Sequence, residues 1–300
     1  MATLPELSNL YAKKQPHQVD YLTENAPLLA MFPFEKASHG LWNAYEEIKD
    51  VKGASFVEMD APLPTVSAES ELKQFSLQVM GGQIEVGEDK AKMFGGAAKY
   101  FATKMPAVLR KSGQSAESAI LHDTIRAYAI ATGNVIEPAD AAGDANYTIL
   151  CVRFVSGETT GLYSPDGFKN GATLDAMALN SGALYKNEDG INVYGMRLKG
   201  YFGFQIANPK TVSAIVNVKK TKQPTADQLD ELIEMARGTS GSTYIMCHPA
   251  VKSMLYKLKN AKMTTVPNDK NINNMIEMWN DIPILTSYNF ANGTEVDVAI

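Results

Sequence analysis

The residues that could perform chemistry in this chain are few and widely separated. The histidines are His17, His39, His122 and His248, and only His248 adjoins a further strong metal ligand, Cys247. Adjacent side chains in a strand point to opposite faces, so this pair cannot easily hold one metal ion between them. We interpret Cys247-His248 as the end of a strand that meets the start of a helix. The sequence therefore predicts no bound metal.

The carboxylates and glycines carry no catalytic signature either. The acidic residues Asp227, Asp230, Glu231 and Glu234 fall opposite the apolar stripe of a predicted helix, which indicates a solvated face. An acid and base pair needs burial that separates two pKa values. The segments MGGQIEVG and MFGGAAKY contain paired glycines without GxxxxGK[ST], and no GxSxG elbow occurs. We therefore expect no catalytic residue, no cofactor and no enzymatic activity, with an enzyme that lacks a short signature as an alternative.

Aromatic residues in the predicted strands offer one further possibility, the stacking of nucleic-acid bases. They are Tyr194, Tyr201, Phe202 and Phe204. Only Arg197 and Lys199 stand among them, which is too few cations for a nucleic-acid surface, so we interpret the aromatic residues as core residues.

The composition is that of an ordinary soluble protein with a sizeable core. The chain has 300 residues, of which 45% are hydrophobic and 20% are charged, and its formal net charge is −5. No global basic field draws it to nucleic acid or acidic lipid. Cys151 and Cys247 lie far apart in apolar runs, which indicates buried thiols in a reducing cytoplasm. We see no secretory signal and no membrane span.

The first 86 residues predict two segments that protrude from a folded body. Prolines recur through residues 1–50, yet Leu28, Phe32, Phe34 and Trp42 need cover, which indicates an arm that lies on another surface or on its own subunit. Residues 51–86 predict an extended hairpin whose apolar residues include Phe56, Phe75 and Leu77. We expect these seven side chains to contact neighbouring subunits.

Helical and strand patterns follow in the body. Helices are predicted over about 88–111 and 115–132, with Ser115 as an N-cap, and strands over 148–155 and 191–218. The strongest helix begins at a Thr225–Gln228 capping box and ends at Gly238. A strand and helix (TYIMC, HPAVKSMLYKLKN), a polar loop over 264–274 and two final strands complete the chain.

This ordered series resembles the Hong Kong 97-type major capsid proteins of tailed phages, in a podovirus-like branch. The resemblance covers nearly the whole chain and is carried by QVMGGQIEVGEDKAKM, RLKGYFGFQIANPKTVSAIVNV with its Ile206-Ala207-Asn208 turn, QLDELIEMAR, TYIMCHPAVKSMLYKLK and NDIPILTSYNF. Family members often have glycine where this chain has Asp281. The founding member's Lys–Asn cross-link cannot be mapped, although the region contains Lys52 and Lys73, so we expect no cross-linking.

The resemblance implies an α+β Hong Kong 97-like capsid fold with five regions. They are an N-terminal arm (1–50), an extended hairpin loop (51–86), a peripheral domain with a spine helix and a β-rich part (87–222), an axial domain (223–290) and a C-terminal strand that returns to the body (291–300). It implies hexamers and pentamers in the icosahedral head of a virion, assembled in the host cytoplasm around non-specifically packaged DNA. Scaffolding, portal and decoration proteins are implied as further partners, and a membrane is not. An encapsulin-like compartment shell is the alternative within the same fold.

Overall fold

The structure is a computed structural model and describes residues 26–59, 62–138, 143, 145–164, 175–258, 263–268 and 271–298. The predicted arm therefore falls largely outside the described residues, since only the part from Ala26 onwards is included.

Strands dominate the described chain. They are β1 (Phe34–Lys36), β2 (Trp42–Lys52), β3 (Ser67–Ser76), β4 (Gln78–Gly87), β5 (Val135–Ile136), β6 (Tyr147–Arg153), β7 (Thr159–Tyr163), β8 (Asp175–Ala178), β9 (Tyr185–Lys186), β10 (Asn192–Ile206), β11 (Val212–Val218), β12 (Thr243–Cys247), β13 (Met263–Asn268), β14 (Asn271–Trp279) and β15 (Ile282–Thr286). The α-helices are α1 (Glu88–Met93), α2 (Ala97–Ala119), α3 (Ala127–Ala131), α4 (Ala226–Met235) and α5 (Pro249–Leu255), and a π-helical segment, Ile120–Arg126, joins α2 to α3.

A continuous helical run from Ala97 to Ala131 replaces the two helices that the sequence predicts. Ser115 does not cap a second helix, because its hydroxyl donates to the Lys111 carbonyl of the same helix at 3.0 Å. The break lies earlier, between α1 and α2, where Gly95 and Gly96 adopt φ angles of 82° and 116°. Only glycine enters these conformations at low cost, so the paired glycines end α1 and set the direction of the long helix.

One sheet carries the predicted aromatic strand. Among the described residues its order is β1-β7-β10-β4, with β8 and β9 also paired to β10. β10 confirms the first part of the strand region predicted over 191–218. β4 pairs with it antiparallel, from Phe202–Gln78 to Val193–Gly87. β7 was not predicted from the sequence. Its alternation is hidden by Gly161, which leaves space for the Phe34 ring on the neighbouring β1.

A second sheet runs in the order β13-β14-β15-β12-β6-β11-β5 across the described chain. β6 and β11 confirm the buried strands that the apolar runs predict. The polar loop expected at 264–274 is wrong, because β13 and β14 form a hairpin there. In the described part of the tail, up to Val298, the expected strand does not form. This segment contacts the body through an isolated bridge between Glu295 and Asn146 and through hydrogen bonds between Val298 and Asn217. The polar residues of 264–274 show no strand pattern, so the β13–β14 hairpin could not be predicted from the sequence.

The second sheet is covered on both faces. On one face, side chains such as Leu150 and Met246 join Phe101, Leu109 and Ile125 of the long helical run in one core cluster. The other face packs against α4 and α5 in a cluster that includes Cys151, Cys247, Leu232, Leu255 and Trp279. β6 pairs with β11 on one side and with β12, which follows residue 223, on the other. The predicted boundary between a peripheral domain (87–222) and an axial domain (223–290) therefore separates strands of one sheet. The boundary at residue 223 is wrong, because strands on both sides of it belong to the same sheet.

The hairpin is a two-stranded sheet of β2 and β3 and stands apart from both other sheets. Its first strand, Trp42–Lys52, falls in residues that the sequence placed in the arm, and residues 78–86 belong to β4 instead. The predicted limits of 51–86 are therefore wrong, although a long hairpin is present. Glu46, Glu47 and Lys49 concealed β2, because charged residues weaken the strand pattern.

Candidate assembly surfaces

The two faces of the β2–β3 hairpin differ in chemistry. On one face, Lys49 pairs with Glu71 and Lys73 pairs with Glu47 across the strands. The hydrogen bond from Lys49 lowers the pKa of Glu71, and the hydrogen bond to Glu47 raises the pKa of Lys73. Cross-strand pairs of opposite charge hold the register of a ribbon that has few other supports.

The opposite face of the hairpin presents two large apolar side chains to solvent, Ile48 at 62% and Leu72 at 74% exposure. They lie beside their register partners Ser70 and Glu46, which hydrogen-bond to each other. The segment that joins the two strands adds Phe56, Met59 and Leu63, all of them largely exposed. An isolated two-stranded ribbon is marginally stable in water, and apolar residues on it gain free energy only when another surface covers them. The described part of this chain does not cover them.

The base of the hairpin is anchored on its own subunit. Phe75 and Leu77 pack with Leu162 and Tyr201 in a small cluster. A Cβ atom at Gly203 would lie 2.7 Å from the Phe75 ring, so glycine is needed for the ring to seat on β10. The hairpin therefore projects from a fixed root.

The N-terminal segment is tied to the long helix by a buried carboxylate. Glu117 is fully buried on α2, and its Oε2 accepts hydrogen bonds from the backbone N–H groups of Leu28 and Leu29, each at 3.0 Å. Its Oε1 accepts from the Ser287 hydroxyl and from the Asn289 amide. One side chain thus joins the beginning of the described chain, the long helix and the end of β15.

The seven predicted contact residues occupy different environments. Leu28 and Phe32 lie in the chain's own core, at 1% and 5% exposure, so they have almost no surface left for a neighbour. Phe34 packs against β7, and Trp42 stacks on His39 with ring centroids 3.7 Å apart. Phe75 and Leu77 form the hairpin root. Phe56 is the one of the seven that is fully exposed.

Sequence reasoning missed Ile48 and Leu72, the exposed large apolar side chains of this face. Ile48 stands in β2 two residues from Glu46, and Leu72 is paired with that glutamate across the ribbon. Leu72 is out of phase with the apolar alternation of Phe75 and Leu77, and most of its partner strand was assigned to the arm, so no signal in the sequence pointed to either residue. Glu117 was missed as well, because burial of a helix carboxylate does not follow from its neighbours in sequence.

The candidate chemical residues have structural partners. His248 caps α5, with Nδ1 accepting from the Ala250 N–H at 3.1 Å, and burial lowers its pKa. This confirms the interpretation of a strand end that meets a helix start. Burial raises the pKa of Cys151 and of Cys247 to about 12, and both thiols are free.

One acidic residue departs from the solvated face predicted for α4. Asp230 accepts hydrogen bonds from the Trp279 indole at 3.0 Å and from the Asn280 amide at 2.7 Å. It therefore fixes the turn between β14 and β15, at the position where Asp281 adopts a φ of 62°. No group of three or more metal-ligating side chains occurs among the described residues.

A cleft of about 300 Å³ lies between the long helix and the hairpin root. Its walls include Val79, Ile120 and Phe202, and Asp123 is its ionisable residue. The enzyme alternative requires convergent polar groups in a deep pocket. This cleft is mainly apolar, and its lining contains neither a base beside a nucleophile nor a pair of carboxylates. In the part of the chain described, no helix is long and apolar enough to cross a membrane.

Comparison with known proteins relates the fold to phage particles. No protein-family model and no curated protein sequence matches the chain. Among solved structures, a chain of the bacteriophage JBD30 capsid matches with a TM-score of 0.57 and 8% identity, covering 94% of this chain and 98% of that one. A chain of the bacteriophage Epsilon15 structure matches with a TM-score of 0.55 and 14% identity, covering 85% and 84%.

An encapsulin from Synechococcus elongatus PCC 7942 matches less well, with a TM-score of 0.47 and 11% identity over 67% of this chain and 90% of that one. The two better matches confirm the predicted fold class. The chain has the α+β Hong Kong 97-like capsid fold, with a long helix beside two sheets and a projecting hairpin.

Proposed function

We propose that this chain is the major capsid protein of a tailed phage, a structural virion component without enzymatic activity. Copies assemble in the host cytoplasm into hexamers and pentamers that form the icosahedral head around phage DNA. The observation that carries this proposal is the set of exposed apolar side chains on the β2–β3 hairpin and its connecting segment, on a fold shared with a chain of the JBD30 capsid.

The hairpin supplies the physical reason for assembly. Full burial of a large aliphatic side chain contributes about 1.5–3 kcal/mol, so the exposed portions of Ile48 and Leu72 offer about 1–2 kcal/mol each to an interface. Phe56, Met59 and Leu63 extend the same surface. A hairpin that lies on the body of a neighbouring copy makes a head-to-tail contact, and repeated head-to-tail contacts close into rings.

The regions of the chain take different parts in this proposal. Residues 42–76, rather than 51–86, form the extended loop. The sheet built on β10 and the long helix form the peripheral part of the subunit. The second sheet with α4 and α5 forms the axial part, at the centre of each ring. Scaffolding, portal and decoration proteins and packaged DNA are proposed as further partners.

A matched pair of double variants tests the hairpin. Ile48→Glu with Leu72→Glu replaces the two exposed apolar side chains of the hairpin by charges, and Ile191→Glu with Val296→Glu adds the same charge at positions that are 55% and 69% exposed. We expect folded subunits in both cases, but shells only from the second variant, as measured by size-exclusion chromatography and electron microscopy. Shells of normal yield from the hairpin variant would contradict the proposal.

A truncation tests the N-terminal segment separately. Removal of the whole predicted arm would take Leu28 and Phe32 out of the core and so remove part of the fold. Deletion of residues 1–25 leaves every described contact in place. We expect this shorter deletion to give soluble folded subunits that do not form shells, and intact shells would remove the arm from the proposal.

A further inference from the structure

The exposed face of the long helix is basic in a chain that is acidic as a whole. Four cationic residues, Lys99, Lys104, Arg110 and Lys111, are exposed on α2. The one carboxylate on α2 is Glu117, which is fully buried and occupied by the contacts to Leu28, Leu29, Ser287 and Asn289. The formal net charge of the chain is −5, so this basic face is a local reversal of sign.

The four cations have no salt-bridge partner in the described part of the subunit. Among the described residues, salt bridges involve Lys49, Lys73, Lys92, Arg126 and Lys252, together with His122, and none of the four. Lys92, one turn before the helix break, is neutralised by Glu88 at 2.7 Å. An exposed cation with no carboxylate nearby keeps its full attraction for an external anion.

The geometry of this basic face fits an extended polyanion. Lys99 and Arg110 lie along one edge of the exposed face, and Lys104 and Lys111 lie along the other, about 120° away around the axis, because an α-helix has 3.6 residues per turn. The four span about 18 Å along the axis at a rise of 1.5 Å per residue. Duplex DNA carries one negative charge for about every 1.7 Å of its axis, so a face of this length can meet several phosphates.

The residues between the cations favour nucleic acid over an acidic protein. The remaining exposed side chains of this face are small or polar: Ala102, Thr103, Ala107, Ser115 and Ala119. Protein interfaces depend on large buried anchors such as tryptophan, tyrosine or leucine, and this face offers none. Contacts with phosphate need only cations and hydrogen-bond donors, without base recognition.

We propose that the basic face of α2, formed by Lys99, Lys104, Arg110 and Lys111, binds the phosphate backbone of nucleic acid without sequence specificity. The inference rests on the proposed function for the identity of the polymer, the nucleic acid that the shell encloses. It also assigns an orientation, since this side of the long helix then faces the interior of the shell.

Binding of full-length subunits to a mixed-sequence 40-base-pair duplex tests the basic face. Four phosphate contacts predict a slope of about −3.6 in log K against log salt, hence a roughly 150-fold loss of affinity between 50 and 200 mM salt. The variant Lys99→Gln, Lys104→Gln, Arg110→Gln, Lys111→Gln should lose this slope. The charge-matched control Lys36→Gln, Lys186→Gln, Lys210→Gln, Lys220→Gln changes four other exposed lysines and should retain it.

Two outcomes would overturn the inference. Equal DNA binding by the basic-face variant and wild type would show that the phosphates bind elsewhere. Tighter binding of poly-glutamate than of the duplex at the same salt would identify an acidic protein as the partner. Circular dichroism verifies folding of both quadruple variants, and electron microscopy of the same samples separates this test from the proposed function. Shells that form without DNA binding contradict only the basic face, whereas absence of shells from wild type contradicts the capsid assignment.

Discussion

Replacement of Glu117 by alanine should destabilise the subunit and release its N-terminal segment. The wild-type carboxylate satisfies the Leu28 and Leu29 N–H groups, both buried, together with the Ser287 hydroxyl and the Asn289 amide. A buried donor left without an acceptor costs about 1–3 kcal/mol. The Ser287 hydroxyl and the Asn289 amide can turn to other partners, whereas the two backbone N–H groups cannot. We therefore expect Glu117→Ala to lower the free energy of unfolding by about 2–6 kcal/mol.

Glu117→Gln is the informative control, because glutamine has nearly the same shape. Its oxygen can take the place of Oε2 and accept from Leu28 and Leu29. Its amide nitrogen then replaces Oε1 and donates to the Ser287 hydroxyl, while the Asn289 amide must turn to present its oxygen. We expect a loss of only about 1–2 kcal/mol, since one neutral hydrogen bond is weaker than its charged counterpart.

Urea unfolding of the unassembled chain measures both losses, and hydrogen exchange of the Leu28 and Leu29 amides reports the local effect. The alanine variant should expose these two amides to exchange well before global unfolding, whereas the glutamine variant should protect them. If Glu117→Ala were as stable as the wild type to within 0.5 kcal/mol, a threshold about the size of a surface substitution's effect, or if both amides stayed protected, the role of Glu117 as the anchor of this segment would be refuted.

Three further predictions concern single positions. Gly203→Val should lower stability by about 1–3 kcal/mol, because its Cβ would lie 2.7 Å from the Phe75 ring, and adding Phe75→Leu should recover part of the loss in a thermal melt. Asp281→Val should cost about 1–2 kcal/mol and Asp281→Gly almost nothing, since the φ of 62° is left-handed; equal melting temperatures for the two variants would contradict this. Burial raises the pKa of Cys151 and of Cys247 to about 12, so both thiols should resist alkylation at pH 8 until urea is added. Their neutral form is favoured by the fold, so the stability that they contribute is complete below pH 9 and decreases as the pH rises towards 12.

The helices and strands that sequence reasoning found correctly are those fixed by local rules. The capping box of Thr225 and Gln228 is present with both hydrogen bonds, and Pro249 begins α5 after the His248 cap. The apolar runs at β6 and β11 became strands buried on both faces. In each case the residues that decide the structure lie within a few positions of one another.

The errors come from interactions between distant residues. Ser115 has the chemistry of a helix cap, but packing of the long helix on the second sheet continues the helix through it. Gly238 was expected to take the left-handed position after α4, yet Arg237 adopts it, with a φ of 48°. A Cβ at Gly238 would lie 2.7 Å from Ile233, so this glycine is needed for close packing rather than for its φ angle.

The candidate assembly surface was predictable in kind but not in position. Apolar residues on a piece that cannot stabilise itself were recognised in the sequence, and Phe56 is such a residue. Leu28 and Phe32 are not, because the Glu117 anchor draws their segment into the core, and that anchor joins residues almost ninety positions apart. Ile48 and Leu72 required the register of β2 and β3, which charged residues concealed.

Cryo-electron microscopy of particles formed by the purified full-length chain tests the central claim most directly. The account predicts closed shells in which the β2–β3 hairpin of each copy lies across a neighbouring copy and buries Ile48 and Leu72 there. A stable species of 32.6 kDa, or shells in which that hairpin face remains open to solvent, would contradict it.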